Sequence, residues 1–130
     1  MDVAEAADNA VRTEMSNDNN LVIRAGQTAH HQYALDVTPE RAGWRFSGLK
    51  IVELSAGESL ELSTGQDEAL VLPLSGSCSV KSEGTSYELA GRPDVFSEVT
   101  DYIYLPPETT AIITSARGGR FAVPTALAGR

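Results

Sequence analysis

From Leu21 onward, short apolar runs alternate with turn residues, a pattern that predicts strands. In "SLELS", Leu60 and Leu62 share one face and Glu61 opposes them. In "TSYEL", Tyr87 and Leu89 pair with Glu88 outside. Strands are expected at Leu21–Arg24, Trp44–Ser47, Leu49–Ser55, Ser59–Ser63, Glu68–Ser75, Ser77–Ser82, Thr85–Ala90, Tyr102–Leu105, Thr110–Ala116 and Arg120–Pro124. Between them stand "AGE", "TGQD", "SEGT", "AGRPD", "LPPE" and "ARGG", which supply positive or fixed φ. A repeat of roughly 8–12 residues per strand and turn marks an all-β sandwich or barrel. The run "ALVLPL" is nearly continuous apolar, as in a strand covered on both faces or in a closed barrel, and Pro73 inside it calls for an edge, a bulge or a bend. The best helical stretch is "TPERAGW", one or two turns starting at Thr38 with Pro39 at the first position.

The length of 130 residues suits a single domain with a real core. The first 20 residues are polar, acidic and poor in large apolar side chains, so a disordered acidic tail or weak helix is expected there. Met15 offers a second start. A formal net charge of −8, with basic residues scattered, argues against nucleic acid and against anionic membrane surfaces as partners. No apolar run approaches the roughly 20 residues that span a bilayer, and the N-terminus lacks a signal-peptide pattern. A cytoplasmic location is the expectation. Cys78 is the single cysteine; no intramolecular disulfide can form, and a small buried thiol is expected.

Candidate chemistry begins at Gly57. The glycines, proline and strand spacing from Gly57 to Ala111 resemble the frame of the cupins, small double-sheet jelly-roll barrels. The first cupin signature, G-x5-H-x-H-x3/4-E-x6-G, places its histidines on Ser63 and Gly65. Glu68 stands close to the glutamate position, and Gly76 closes the frame one residue late. The second signature meets Pro106 and Glu108 and puts its histidine on Ala111. In cupins these ligands gather inside the barrel to hold a divalent metal. Ser, Gly and Ala cannot replace imidazoles, so no metal ligand set is expected in this chain. The only two histidines, His30 and His31, are adjacent, and neighbours on a strand point to opposite faces; a partly exposed loop before the first core strand is expected there.

The segments "WRFSGLKIVELSAGESLEL", "EALVLPLSGSCSV", "YELAGRPDVFSEVTDYIYLPP" and "RFAVPTALA" resemble the N-terminal half of the bacterial 5-deoxy-glucuronate isomerase family, from about Leu21 to Ala128. The resemblance implies a cupin-like double-stranded β-helix, here a single domain over residues 21–128. It implies an aldose–ketose isomerase of inositol catabolism whose members carry two barrels in tandem. It places the divalent metal and its His and Glu ligands in a C-terminal barrel, which would begin where this chain ends. On that reading this chain holds no cofactor and no catalytic residue, and is inactive alone. Its expected partners are a second cupin barrel or another copy of itself, and a sugar-acid substrate.

Three residues are candidates for contacting such a substrate. Arg92 in "AGRPD" could hold a carboxylate, or pair with Asp94 on an exposed turn. Glu68 could line the barrel, or serve as a turn residue after "TGQD". Tyr104 alternates with Ile103 and Leu105, and Tyr102 and Tyr104 mark one face for packing or for a cavity. Trp44 is expected in the core or an interface. Two alternatives to the isomerase half remain at this level. One is a stand-alone metal-free cupin that binds a sugar acid, with Arg92 or Arg45 at the barrel mouth, or serves as an interaction module. The other is an inert truncated gene product.

Overall fold

The structure is a computed structural model that describes residues 22–128; the expected acidic tail, Leu21 and the last two residues lie outside it. Among the described residues the chain forms β1 (Tyr33–Val37), α1 (Pro39–Ala42), β2 (Ser47–Leu54), β3 (Glu58–Ser63), β4 (Asp67–Ser82), β5 (Thr85–Arg92), β6 (Ile103–Leu105), β7 (Thr110–Ser115) and β8 (Gly119–Leu127). All pairings between named strands are antiparallel. The all-β jelly-roll expectation is met.

One strand holds the two layers together. The stretches Glu68–Ser75 and Ser77–Ser82, expected as separate strands, are the two halves of β4. Its first half joins sheet A, ordered β1-β2-β8-β4-β6. Its second half joins sheet B, ordered β3-β7-β4-β5. The corner between them lies at Gly76, with φ of 91°, opposite the end of β5. Gly91 faces it with φ of 69°, and a Cβ on Gly91 would run into the Gly76 carbonyl. Only glycine fits both that φ and that approach. Pro73 meets its expected bend: the β4–β8 register shifts between Pro73 and Ser75.

The core fills the space between the sheets. Val52, Leu62, Val71, Val80, Leu105, Ala111, Ile113, Phe121 and Val123 are buried, and Phe121 is the largest of them. Strand alternation sends their neighbours outward, and the two outer faces differ. On sheet B the outward residues are polar apart from Ile112, with cross-strand pairs Ser59–Thr114 (2.7 Å) and Ser63–Thr110 (3.2 Å) between hydroxyls. On sheet A they are mostly apolar, with Glu68 and the Glu53–Arg120 pair as exceptions. Leu35, Ile51, Ala122 and Leu72 sit opposite one another across four strands, and Leu49–Pro124 and Leu70–Tyr104 extend the stripe. The continuous apolar run of β4 therefore reflects one face in the core and one face on this outer stripe.

Helix α1 starts as its sequence dictates. Thr38 Oγ1 accepts from Arg41 N at 3.1 Å, Pro39 opens the first turn, and Gly43 ends it at φ of 73°. Three expectations need correction. Val22–Arg24 forms no strand, because nothing in the described fold pairs with it. Trp44–Ser47 enters the sheet only at Ser47, and Trp44 stays half exposed instead of packing in the core. A strand that was not expected, β1, begins two residues after His31 and covers the edge of β2.

Candidate functional site

The two signature segments meet in space. Thr64, between the two histidine positions, donates its hydroxyl to Pro106 O at 2.9 Å and accepts from Thr109 N at 2.9 Å. Thr64 N in turn donates to Thr109 O, and Glu108 N donates to Gly65 O at 2.7 Å. Both threonines are buried. A closed set of hydrogen bonds thus joins the turns within the two signature segments.

The frame positions themselves diverge. Ser63 is exposed on the outer face of sheet B, Gly65 sits in a turn at φ of 58°, and Ala111 is fully buried. Leu62 and Ala111, which do point inward, belong to the hydrophobic cluster. Among the described residues no three His, Cys, Asp or Glu side chains gather to hold a metal. The residues present do not fit the divalent ion of the cupin pattern, since a site needs several N, O or S donors aimed at one point.

Glu68 is not a turn residue. It is the second residue of β4, on the outer face of sheet A. Its carboxylate accepts from Tyr104 Oη at 2.7 Å. That hydrogen bond pushes the Tyr104 phenol pKa up, with burial and the negative charge of Glu68 adding to it. Beside the pair lies a 280 Å³ hollow walled by Leu70, Tyr104, Pro124 and Ala126, apolar apart from Glu68 and Thr125. Sequence reasoning marked both residues singly; their contact depends on the β4–β6 register, which pairs Leu70 with Tyr104.

Arg92 stands apart from that pair, at the corner of β4. Its Nε donates to Pro73 O at 3.0 Å and its Nη1 to Glu98 O at 3.1 Å. No ion pair joins it to Asp94, whose carboxylate instead accepts from Phe96 N at 2.8 Å. The structure therefore brings Glu68 and Tyr104 together and leaves Arg92 tying the following loop to β4.

Two polar clusters were not legible in the sequence. Asp36 accepts from Lys50 Nζ at 3.1 Å and contacts His30 Nε2 at 2.7 Å. Burial pushes the Asp36 carboxyl up, and its bonds to His30 and Lys50 outweigh that and hold it below its ordinary value. Burial and the nearby Asp36 charge raise the Tyr33 phenol. The second cluster is a 730 Å³ groove at the far end of sheet A, lined by His31, Gln32, Glu53, Glu58 and Arg120. There Arg120 Nε pairs with Glu53 at 3.1 Å, with both side chains half exposed. His30 and His31 take different surroundings, one on Asp36 and one in this groove.

Comparison with known proteins follows the same outline. Residues 21–130 match the KduI/IolB family. The 5-deoxy-glucuronate isomerase of Geobacillus kaustophilus is 30% identical over 90 residues, which is 68% of this chain and 33% of that protein. The enzyme of the same name from Geobacillus thermodenitrificans is 35% identical over 72 residues, or 54% of this chain and 26% of that protein. The chain thus matches about a third or less of the length of these curated relatives. An IolB-like protein of Salmonella typhimurium LT2 superposes with a TM-score of 0.72 at 28% identity, over 79% of this chain and 40% of that one. A cupin protein of Bacteroides fragilis superposes at 0.57 with 19% identity, over 83% and 88%, and supports the fold alone. The resemblance seen in "LSGSCSV", "LAGRPDVF" and "YIYLPP" is a family relationship: the chain belongs to the KduI/IolB family.

Proposed function

We propose that this barrel is the metal-free, scaffolding half of a 5-deoxy-glucuronate isomerase, and that turnover needs a second, metal-bearing barrel. The reaction would be the aldose–ketose interconversion of 5-deoxy-glucuronate and 2-deoxy-5-keto-gluconate. It moves a proton between adjacent carbons and stabilises an enediolate oxygen. A divalent metal held by the other barrel would supply the Lewis acid; this half would fold, pack and present that barrel. The observation that carries the reading is the Thr64–Thr109 closure, with Leu62 and Ala111 buried behind it, at the place where the cupin frame would gather ligands. The family match and the shared stretch with two isomerases support the substrate class. The same reading favours the cytoplasm; among the described residues no helix is long and apolar enough to cross a membrane.

The sugar-acid-binding alternative gains nothing from Arg92, because two of its donors are already engaged on backbone carbonyls.

The test has two arms. The purified chain is incubated with 5-deoxy-glucuronate and Zn²⁺ or Mn²⁺, and ketose formation is followed; no turnover above a metal-only blank is expected. The chain is then fused in place of the matching stretch of the Geobacillus kaustophilus isomerase. A soluble, folded fusion with isomerase activity is the expected result. Turnover by the chain alone, or a folded but inactive fusion, defeats the proposal.

A further inference from the structure

Two hollows at one end of sheet A share a wall. The 730 Å³ groove and a neighbouring hollow of 600 Å³ are both lined by His31, Gln32, Glu53 and Arg120. Each lies within the size range of small-molecule sites. In the larger one Leu54 is the single apolar side chain, so an apolar ligand gains little there.

The shared wall is held in place by its own backbone. His30 and Tyr33 exchange both main-chain hydrogen bonds, at 2.9 and 2.8 Å, which leaves His31 and Gln32 as a two-residue turn. Gln32 fastens that turn to two strands. Its carbonyl accepts from Glu53 N of β2 at 2.8 Å, and its Nε2 donates to Ser59 O of β3 at 2.9 Å. His31 holds a left-handed φ of 51°, a conformation that is uncommon for a residue with a side chain and that clusters at ligand sites.

The hydrogen-bonding capacity left over around the groove is of both senses. Arg120 uses Nε on Glu53, and among the described residues nothing accepts from its two terminal nitrogens. Glu58 uses Oε1 on Ser55 N at 3.0 Å, which leaves Oε2 as an acceptor. Gln32, with Nε2 engaged, keeps Oε1 as an acceptor. A neutral imidazole at His31 offers one donor and one acceptor. A hydroxyl both donates and accepts, so neighbouring hydroxyls satisfy every member of this set. A carboxylate or phosphate only accepts. It would suit Arg120, but Glu53 already offsets that charge and Glu58 repels a second anion.

We propose that this groove is a binding site for a neutral polyol, a sugar or cyclitol, with Glu58 and Gln32 accepting from its hydroxyls, Arg120 donating to them and His31 doing either. This inference is independent of the isomerase reading, and it gives the groove a ligand other than the anionic substrate of that reading.

Amide chemical shifts of the full chain, titrated with D-glucose, D-galactose, myo-inositol and D-glucuronate up to about 50 mM, test it. At least one neutral polyol is expected to shift the amides of Gln32, Glu53 and Arg120 in a saturable way. D-glucuronate is expected to bind at least about tenfold more weakly than that polyol. E58Q keeps an oxygen for Ser55 N and turns the free acceptor into a donor, so it is expected to weaken binding about tenfold with melting unchanged. H31A is expected to weaken it as well. No saturable shift with any of the neutral polyols overturns the proposal. So does D-glucuronate binding as tightly as they do, and so does binding that neither E58Q nor H31A alters, since the ligand would then sit elsewhere.

Discussion

Tyr104 donates its hydroxyl to the Glu68 carboxylate at 2.7 Å, across the β4–β6 pair and out of the core. The bond favours the neutral phenol, so the Tyr104 pKa lies above its ordinary value of 10.0. A raised pKa stabilises the fold below 10 and gives that stabilisation up as pH climbs through the folded-state value. E68Q removes both the charge and the strong acceptor. In an alkaline titration followed by tyrosinate absorbance, one of the four tyrosines is expected to titrate at lower pH in E68Q than in the wild type. Identical curves would show that the contact does not persist in solution.

Asp36 gives the opposite sign. Its carboxyl is held below the ordinary 3.8 because Lys50 and His30 together outweigh its burial. Its stabilisation is present above the unfolded-state pKa and is lost as pH falls through the lowered folded-state value. D36N is expected to cost about 1 kcal/mol at neutral pH, a modest figure because solvent reaches part of the cluster. The gap between D36N and wild type should close in acid. Urea unfolding at neutral pH and near pH 3 measures both; a constant gap across pH would rule out the ion pair as its source.

Two backbone and core positions should separate packing from surface effects. Phe121 is fully buried at the centre of the cluster, so F121A should cost about 3–5 kcal/mol. G91A forces a Cβ against the Gly76 carbonyl at positive φ, and should cost about 3 kcal/mol without removing any side-chain contact. Urea midpoints with unchanged slope would report both. Tolerance of G91A would mean that β4 does not turn its corner as described.

The Cys78 thiol is buried on the inner side of β4, and burial, aided by the charges of Asp101 and Glu88, pushes its pKa up to about 12. Only the thiolate is an effective nucleophile. The folded chain should therefore resist iodoacetamide at pH 8, and the same chain in urea should alkylate readily. Rapid labelling of the native chain would place Cys78 near the surface.

Much of the barrel was written in local pattern, and its misses share one cause. Leu60/Leu62, Tyr87/Leu89 and the punctuating glycines specify strands whatever their neighbours, and Thr38-Pro39 specifies a helix start by itself. Register is not local. "ALVLPLSGSCSV" reads as two strands because Ser75-Gly76 resembles a turn, yet β8 on one side and β5 and β7 on the other keep the chain in the sheet through the corner. β1 was hidden behind His30-His31-Gln32, although Tyr33, Leu35 and Val37 alternate as a strand should. The scarcity of histidines, two in the whole chain, was legible by counting. The Thr64–Thr109 closure was not, because it joins turns 45 residues apart.

The Asp101 carboxylate decides whether the β5–β6 loop stays in place. Desolvation pushes this carboxyl up, and the N–H groups of Gly91 and Ala90 outweigh that and hold it below its ordinary value. Those donors are charge-assisted partners, so loss of the carboxylate leaves two backbone amides to solvent. In D101A, amide exchange at Ala90 and Gly91 should quicken by about tenfold, the equivalent of one such hydrogen bond. In the wild type the same quickening should come on as pH falls through the lowered pKa, after correction for intrinsic exchange, because a depressed carboxyl stabilises only above it. Exchange in the core strand around Phe121 should not follow. If both regions quicken together, Asp101 supports the whole barrel; if Gly91 alone responds, it holds the loop that carries Phe96.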